Sequence, residues 1–386
     1  MRVAIVHYWL LKMRGGEKVV EELCDMYPEA DIYTLFYDSE QVSDTIRAHT
    51  VHTSFLQPFR RHYRSLLPLM PLALESFDLR GYDLIISSES GPAKGVLVLP
   101  GTRHVCYCHT PMRYLWDLYH SYRNKWISAG IKRTGLTVLS NYMRMWDYAA
   151  SARVDDFVAN SENVRQRIWR VYRRESTVIY PPVDVEAFHW RQPEDHFLLV
   201  SELVAHKRIE TAVLAFRQSG RKLRIVGDGP EFGALRRLSS PNIEFCGRVA
   251  PDVLRDLYAR CRALILPGEE DFGIVAVEAM SSGKPVIALG RGGALETVPV
   301  NSPFGGLFYN EATAASLLDA LKLFDQVEHL VTPRLLQDHV KQFGRSVFRS
   351  RFSDLIAGEP ATCTASPIFT NSSQSIDHAG AVNQYS

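Results

Sequence analysis

Short apolar runs bounded by turn residues alternate with amphipathic stretches along most of this 386-residue chain. Such alternation is typical of βαβ units, in which helices join parallel strands and cover the sheet that the strands form. After Tyr180-Pro181-Pro182-Val183-Asp184 the same alternation begins again. Because each proline fixes φ and lacks a backbone N–H, the proline pair predicts a stiff connection. The sequence therefore predicts two α/β halves with a cleft between them.

The predicted elements follow this alternation in both halves. In the first half we predict strands at residues 3–6, 31–35, 84–87, 104–107 and 156–159, with helices at 17–26 and 161–171. In the second half we predict strands at 197–200, 223–226, 243–246, 263–266 and 285–288, with helices at 209–218, 231–238, 253–260 and 274–281. The predicted division is a domain at 1–180, a domain at 181–334, one closing helix at 335–356 and a disordered tail at 357–386.

Composition agrees with a two-domain globular protein. Apolar residues make up 46% and charged residues 23% of the chain, which is typical of folded proteins. A formal net charge of +1 argues against a general nucleic-acid binder. The N-terminal segment MRVAIVHYWLLK lacks a small-residue cleavage site and predicts a buried strand, and no apolar run approaches the length of a membrane span. Six scattered cysteines indicate buried thiols in a reducing compartment, so we expect a cytoplasmic protein.

The segment ALILPGEEDFGIVAVE, residues 263–278, predicts a strand, a short loop and a helix. Glu270 lies just before this helix and Glu278 lies two turns further on. Gly273 lets a ligand approach the backbone, and the unpaired amides at a helix N-terminus attract a diphosphate. Glu278 can then accept hydrogen bonds from ribose hydroxyls, and Glu270 from hydroxyls of a transferred sugar. The alternative is that both carboxylates only favour the start of the helix and face solvent.

Further motifs accompany this segment in a fixed order. The second half contains VSELVAHKR at 200–208, IVGDGPE at 225–231 and FCGRV at 245–249, and the first half contains GGE at 15–17 and HTPMR at 109–113. With these motifs and the E-x7-E spacing of Glu270 and Glu278, the chain resembles the family 4 glycosyltransferases over residues 1–355. The resemblance implies a GT-B fold of two Rossmann-like domains and a retaining hexosyltransferase. In detail the chain resembles mannosyltransferases that use GDP-mannose in polysaccharide, O-antigen or lipopolysaccharide assembly.

The resemblance also implies roles for individual residues. It assigns catalysis to Lys207 at the departing diphosphate, Glu270 at the donor sugar and His109 beside the reacting centre. It assigns donor binding to Gly15, Gly16, Arg208, Gly227, Val249, Phe272, Gly273, Ile274 and Glu278. Cations and oriented amides stabilise the negative charge that a breaking glycosyl bond leaves on phosphate.

Two features of the sequence bear on how that charge is stabilised. No D-x-D motif occurs in the chain, so we expect a metal-independent site without a cofactor, in which Lys207 and a helix dipole act on the diphosphate. Where the family usually has an arginine, this chain has Glu202, whose carboxylate would repel phosphate. Either Arg208 or Arg248 substitutes for the missing arginine, or Glu202 turns away.

Other interpretations of the same residues are weaker. The glycines of residues 227–233 have the wrong spacing for a dinucleotide-cofactor motif. Cys106, Cys108 and His109 lack a fourth metal ligand at a sensible spacing, which favours buried strand thiols. Three alternative functions stay open: a nucleotide-sugar epimerase of the same fold, a transferase that uses a UDP-sugar, and a non-catalytic sugar-nucleotide binding module.

Two basic stretches also carry aromatic and apolar residues. The first, within residues 56–77, contains Arg60, Arg61, His62, Tyr63 and Arg64 beside Leu66, Leu67, Leu69, Met70 and Leu72. The second, within residues 122–153, contains Arg123, Lys125, Trp126, Lys132, Arg133 and Arg144. Such stretches are either solvated helix faces or sites of peripheral contact with an anionic membrane. Membrane contact would suit an acceptor that is a polyprenyl-linked saccharide, and the other acceptor class is a free saccharide.

Overall fold

A computed structural model describes residues 1–120, 131–299 and 305–358 of the chain. The first half forms a seven-stranded parallel sheet in the order β3-β2-β1-β4-β5-β6-β7. Its strands are β1 Val3–His7, β2 Asp31–Thr34, β3 Val51–Thr53, β4 Leu84–Glu89, β5 Arg103–Cys108, β6 Asp156–Ala159 and β7 Ser176–Val178. The central strands β1 and β4 are buried along their whole length, which explains the apolar residues of β1 and of the first half of β4.

The second half forms a six-stranded parallel sheet in the order β10-β9-β8-β11-β12-β13. Its strands are β8 Phe197–Val200, β9 Leu223–Val226, β10 Ile243–Gly247, β11 Leu264–Leu266, β12 Val286–Leu289 and β13 Gly306–Tyr309. The prediction of two Rossmann-like domains with parallel sheets is therefore confirmed.

Helices cover both sheets. In the first half they are α1 Gly15–Met26, α2 Asp44–Arg47, α3 Met70–Glu75, α4 Ile131–Ser151 and α5 Glu162–Tyr172. In the second half they are α6 Ile209–Ser219, α7 Phe232–Leu238, α8 Pro251–Arg260, α9 Ile274–Ser281, α10 Ala294–Thr297 and α11 Ala314–Val327. The C-terminal segment adds α12 Pro333–His339 and α13 Arg345–Ala357.

The sequence analysis missed three strands, and each of them lies at the edge of a sheet. The strands β3, β7 and β13 end the two strand orders. The side chains of β3 and β7 are half-buried or exposed, and the middle of β13 is half-buried. Because an edge strand packs against fewer neighbours, β3 and β7 lack the continuous apolar run that identified the central strands, and the apolar run of β13 is only three residues long.

The prediction of one closing helix at 335–356 was wrong. Gly344 has an extended backbone and separates α12, with the 3-10 turn Val340–Phe343, from α13. Phe343 belongs to the core of the second domain, whereas Phe348 and Phe352 of α13 belong to the core of the first domain. One straight helix cannot place these side chains in two different cores, so the chain bends as it crosses between the domains. The predicted disordered tail lies, from residue 359, outside the described residues.

The cysteines of β5 behave as predicted. Cys106 and Cys108 are fully buried free thiols that pack with Val154, Phe157 and Ile168. Within residues 1–120, 131–299 and 305–358, no group of three His, Cys, Asp or Glu side chains is placed to hold a metal ion. Over the same ranges, every helix is too short or too polar to cross a membrane.

Candidate active site

Each sheet contains one point at which the strand order reverses. These points lie between β1 and β4 in the first sheet and between β8 and β11 in the second. At such a point, loops from the carboxyl ends of neighbouring strands run in opposite directions and leave a crevice that commonly binds ligands. The two crevices face each other, because a Cβ atom placed on Gly15, at the start of α1, would lie 2.9 Å from Cδ1 of Ile274 at the start of α9.

The loop between β11 and α9 brings Lys207, Glu270 and Gly273 together. The ammonium of Lys207 contacts the Glu270 carboxylate, and both side chains are mostly buried. Gly268 permits this approach, since a Cβ atom there would lie 2.7 Å from the Lys207 carbonyl oxygen. Gly273 has a φ of +96° and immediately precedes α9. Because glycine has no side chain to cap the helix, the first amides of α9 stay available to an anion.

Glu278 lies deeper in the same cleft. Its side chain is only 8% exposed, so the alternative in which this carboxylate faces solvent is wrong. Its Oε2 accepts a hydrogen bond of 2.8 Å from the Tyr258 hydroxyl, and its Oε1 lies 3.2 Å from the Lys18 ammonium of α1. Tyr258 and Lys18 were absent from the predicted site because nothing in the local sequence marks them.

On the opposite side of the cleft, Gly16 lies against His109. A Cβ atom on Gly16 would lie 3.4 Å from Nε2 of His109, which follows the end of β5. This Nε2 is 2.9 Å from the Ser88 hydroxyl, and the His109 backbone N–H donates to the carbonyl of Glu89 at 2.7 Å. Burial, with a smaller effect from nearby His7, lowers the pKa of His109 to about 3. The imidazole is therefore neutral, so it can donate or accept hydrogen bonds but is not a general acid near neutral pH.

A buried ionic cluster supports the end of β4 behind His109. The Lys94 ammonium lies 3.2 Å from the Glu89 carboxylate and contacts Asp147, and all three side chains are fully buried or nearly so. Asp147 also accepts hydrogen bonds from Trp116 at 2.8 Å and Tyr172 at 2.9 Å. Burial raises the pKa of Glu89 to about 7, although Lys94 opposes that shift. Glu89 and Lys94 are five residues apart, but Asp147 lies 53 residues beyond Lys94, so no local signal links it to them.

The remaining predicted donor residues lie along the carboxyl edge of the second sheet. Arg208 has a left-handed backbone, with φ of +52°, and is exposed at the start of α6. The Gly227 amide donates to the Gly247 carbonyl at 2.8 Å, and Val249 follows β10 and is half-buried. The Phe272 side chain is buried against Tyr180, so only its backbone is available to a ligand.

Glu202 pairs with a cation of the first domain. Its Oε1 lies 3.6 Å from Nη2 of Arg14, which directly precedes Gly15 in the first domain. Arg248 lies 4.0 Å from Asp228, and both of these side chains are well exposed. The cation paired with Glu202 therefore comes from the opposite domain, which the local motif around Glu202 could not reveal.

Two family profiles match adjoining parts of the chain. The profile described as Glycosyltransferase Family 4 matches residues 13–187, and the profile described as Glycosyl transferases group 1 matches residues 184–328. Together the two profiles cover every strand of both sheets except β1.

Among curated proteins, the chain is similar to an uncharacterized glycosyltransferase of Methanocaldococcus jannaschii, with 24% identity over 201 residues, 51% of this chain and 56% of that protein. It is also similar to the GDP-mannose-dependent alpha-(1-6)-phosphatidylinositol monomannoside mannosyltransferase of Mycobacterium tuberculosis, with 34% identity over 140 residues, 32% of this chain and 36% of that protein. The chain thus spans about half the length of the first relative and about a third of the second.

Solved structures share the fold over nearly the whole chain. The sucrose-phosphate synthase of Thermosynechococcus elongatus has a TM-score of 0.69 at 17% identity, and the match covers 93% of this chain and 99% of that chain. The Anabaena protein HepE, solved in complex with UDP-glucose, has a TM-score of 0.67 at 17% identity and covers 93% of this chain and 100% of that one. At such identities the likeness establishes the fold.

Proposed function

The chain belongs to glycosyltransferase family 4, and we propose that it transfers a hexosyl unit from a nucleoside-diphosphate sugar to a saccharide acceptor. The observation that carries this proposal is the contact of Lys207 with Glu270 beside the first amides of α9. A cation, a carboxylate and a helix N-terminus then meet in one crevice, and a sugar diphosphate presents complementary groups to all three.

Each residue of the cleft has a separate role in the proposed transfer. The amides of Gly273 and Ile274 bind the diphosphate, and Lys207 moves from Glu270 to the phosphate oxygen that gains charge as the glycosyl bond breaks. Glu270, released from the lysine, accepts hydrogen bonds from the donor sugar. Glu278 accepts hydrogen bonds from the ribose, and neutral His109 lies beside the reacting centre.

For the donor we propose GDP-mannose and transfer with retained configuration at the anomeric carbon. The similarity to the Mycobacterium tuberculosis protein, whose name states that it depends on GDP-mannose, supports this choice. The competing donor class is a UDP-sugar, which the HepE complex contains. Both donors contain a ribose and a diphosphate, so the contacts proposed for Glu278 and Lys207 suit either donor. An experiment is needed to identify the base and the sugar.

A thermal-shift panel of GDP, UDP and ADP, each with its common sugar conjugates, tests the donor. A ligand at a hundredfold excess over its Kd stabilises the native state by about 2.7 kcal/mol, and we expect this only for GDP and GDP-mannose. Stabilisation by UDP-sugars alone would overturn the donor assignment, and no stabilisation by any conjugate would overturn the function. Product analysis with and without acceptor separates transfer from epimerisation, and NMR of the product reports its anomeric configuration.

Replacement of the leaving-group cation tests the mechanism. We expect Lys207→Ala to lower turnover at saturating donor by roughly 10²–10³-fold, the usual cost of removing one preorganised donor from a developing oxyanion. Lys222→Ala is the matched control, because Lys222 lies in the same domain and its ion pair with Asp195 is well exposed. Equal turnover of the two variants would show that Lys207 does not act on the diphosphate.

For the acceptor we propose a lipid-linked saccharide that the first domain meets at an anionic membrane. The basic segment Gln57–Leu69 exposes Phe59 and Leu69 beside exposed Arg60 and Arg61. Helix α4 adds an exposed apolar row at helical spacing, formed by Val138, Tyr142 and Met145. Leu67 packs with Met143 in one apolar cluster, which joins the two segments into one surface. Arg123, Lys125 and Trp126 of the second basic stretch lie outside the described residues.

Flotation with anionic liposomes tests this surface. We expect the protein to float at low salt and the variant with Arg60→Glu and Arg61→Glu to remain in the dense fraction, because opposite charge attracts the surface to the lipid headgroups. The control carries Arg236→Glu and Arg237→Glu, a neighbouring exposed arginine pair on the second domain. Absence of flotation at low salt would overturn the proposed membrane contact.

A further inference from the structure

Arg167, in the middle of α5, reaches across the cleft to the loop that carries Glu270. Its Nη2 lies 2.6 Å from Glu269, and its Nη1 contacts Asp271, so the guanidinium pairs with the residues on both sides of Glu270. Only 15% of the Arg167 side chain is exposed. An arginine fork held by two carboxylates has few alternative geometries, which restricts the loop between them.

The same guanidinium also contacts the segment that carries His109. Nη1 of Arg167 donates to the Thr110 hydroxyl at 3.3 Å, and Thr110 directly follows His109. Arg113, in the same segment, lies 3.3 Å from Asp271. The contacts of Arg167 therefore include the neighbours in sequence of both His109 and Glu270, although the guanidinium contacts neither of those two side chains.

The N-terminus of α5 is fixed to the second domain as well. The backbone amides of Glu162 and Asn163 donate to the Glu296 carboxylate at 2.7 and 2.8 Å. The Ser161 hydroxyl donates to the Asp271 carbonyl at 2.6 Å and accepts from the Val164 amide at 3.1 Å as the helix cap. Because both its N-terminus and Arg167 contact the second domain, α5 bridges the two domains beside the cleft.

We propose that Arg167 is a positioning residue, which aligns Glu270 with His109 by tying their two loops together when the domains are closed. This inference rests on the proposed transferase function, because it assumes that both side chains meet the donor sugar. Arg167 does not lie in the diphosphate site formed by Lys207 and the start of α9. Its loss should therefore slow the chemical step and leave nucleotide affinity nearly unchanged.

The test compares turnover with nucleotide binding in matched variants. We expect Arg167→Ala to lower kcat at least 30-fold while the Kd for GDP stays within threefold of wild type. Arg167→Lys should fold and lose at least fivefold in kcat, since one ammonium cannot hold both carboxylates in the arginine geometry. Arg165→Ala is the control on the same helix, because Arg165 pairs with Glu162 of its own helix. We expect its kcat to stay within twofold.

A double-variant cycle shows whether Arg167 acts through the loop. Asp271→Asn should also lower kcat, and the combination with Arg167→Ala should be slower by less than the product of the two single effects, because both changes remove the Arg167–Asp271 contact. If Arg167→Ala does not fold, the same measurements of kcat and of the Kd for GDP are made on Arg167→Lys and Asp271→Asn.

Three results would contradict these expectations. A kcat of Arg167→Ala within threefold of wild type, fully additive effects in the cycle, or loss of GDP affinity in proportion to kcat would each overturn the positioning role. A wild-type protein that binds no nucleotide and transfers no sugar would instead overturn the proposed function itself. The wild-type measurement therefore distinguishes the two failures.

Discussion

Several cations at the cleft pair with carboxylates. Lys207 contacts Glu270 within the second domain, whereas Lys18 with Glu278 and Arg14 with Glu202 pair across the two domains. In the proposed mechanism a donor exchanges these partners, since its diphosphate would replace a carboxylate beside Lys207 and its hydroxyls would replace a cation beside Glu270 or Glu278. The proposed mechanism therefore uses charges that are already in place before a donor binds.

At the residue scale, Glu202 provides a direct prediction. We expect Glu202→Arg to change donor turnover by less than tenfold in initial-rate assays, because Arg14 already supplies a guanidinium near that position. Both side chains of the Arg14–Glu202 pair are more than 40% exposed, so loss of the pair should change the free energy of unfolding by no more than about 1 kcal/mol. Glu210→Arg, at an exposed position in the first turn of α6, is the control. A gain in turnover above tenfold would show that Arg14 does not compensate for Glu202.

At the element scale, the start of α9 depends on a backbone conformation that few residues adopt. Gly273 has a φ of +96°, which turns the chain from the Glu270 loop into the helix. Helix α9 itself is buried from Ala276 to Ser281, so its orientation is set by the surrounding core. The loop and helix together decide where the first amides point.

Replacing Gly273 should therefore affect both stability and donor binding. We expect Gly273→Ala to destabilise the protein by about 1–2 kcal/mol in urea denaturation, because an L side chain is strained at positive φ. The nearest atom to the new Cβ would be 3.7 Å away, so steric overlap does not contribute. Gly135→Ala, an exposed interior position of α4 with open space around it, should instead stabilise by up to about 1 kcal/mol. Equal effects at the two positions would contradict this explanation.

Helix α13 illustrates how an element contributes to a domain distant in sequence. Phe352 is fully buried in the first core, 5.6 Å from the ring of Phe348. We expect Phe352→Ala to destabilise the protein by about 3–5 kcal/mol, whereas Leu335→Ala, at a side chain 47% exposed on α12, should change stability by less than about 0.5 kcal/mol. In the Phe352→Ala variant, hydrogen exchange should show that the backbone amides of β1 and β4 lose protection before those of β8 and β11. Loss of protection first in the second sheet would contradict the assignment of α13 to the first core.

At the scale of the whole molecule, buried histidines make stability depend on pH. Burial lowers the pKa of His104 to about 4, and its neutral ring is fully hydrogen-bonded: Nδ1 donates to the Arg153 carbonyl at 3.0 Å and Nε2 accepts from Ser87 at 2.8 Å. Below pH 6.5 the unfolded chain binds a proton at this residue and the native state does not. The contribution of His104 to stability is therefore present above pH 6.5 and is lost as the pH falls toward 4.

A variant without this histidine should be less sensitive to acid. Between pH 6.5 and 5, wild type should lose about 1.5 kcal/mol more stability in urea denaturation than His104→Asn. The comparison is made within each protein across pH, so the packing lost in the variant cancels. The raised pKa of Glu89 makes the native state more stable as the pH falls. This effect is the same in both proteins, so it cancels in the comparison. Equal losses would show that His104 does not remain neutral in the native state.

The fold was predictable to a large extent because its signals are local. The central strands and the helix at 274–281 carry continuous apolar runs or helical periodicity, and the structure contains each of them with boundaries shifted by at most two residues. The E-x7-E spacing also predicted that one loop and helix would present Glu270 and Glu278, because it depends only on a strand, a turn and a helix in sequence order.

The contacts that cross the cleft could be decided only by the tertiary structure. Arg167, Arg14 and Lys18 have no local pattern that distinguishes them from other surface cations, and their partners lie more than 100 residues away. The break at Gly344 was hidden for the same reason, since helical periodicity does not specify which of two cores a side chain enters. Local sequence specifies backbone conformation and burial, whereas pairing between distant charges depends on how the two domains pack.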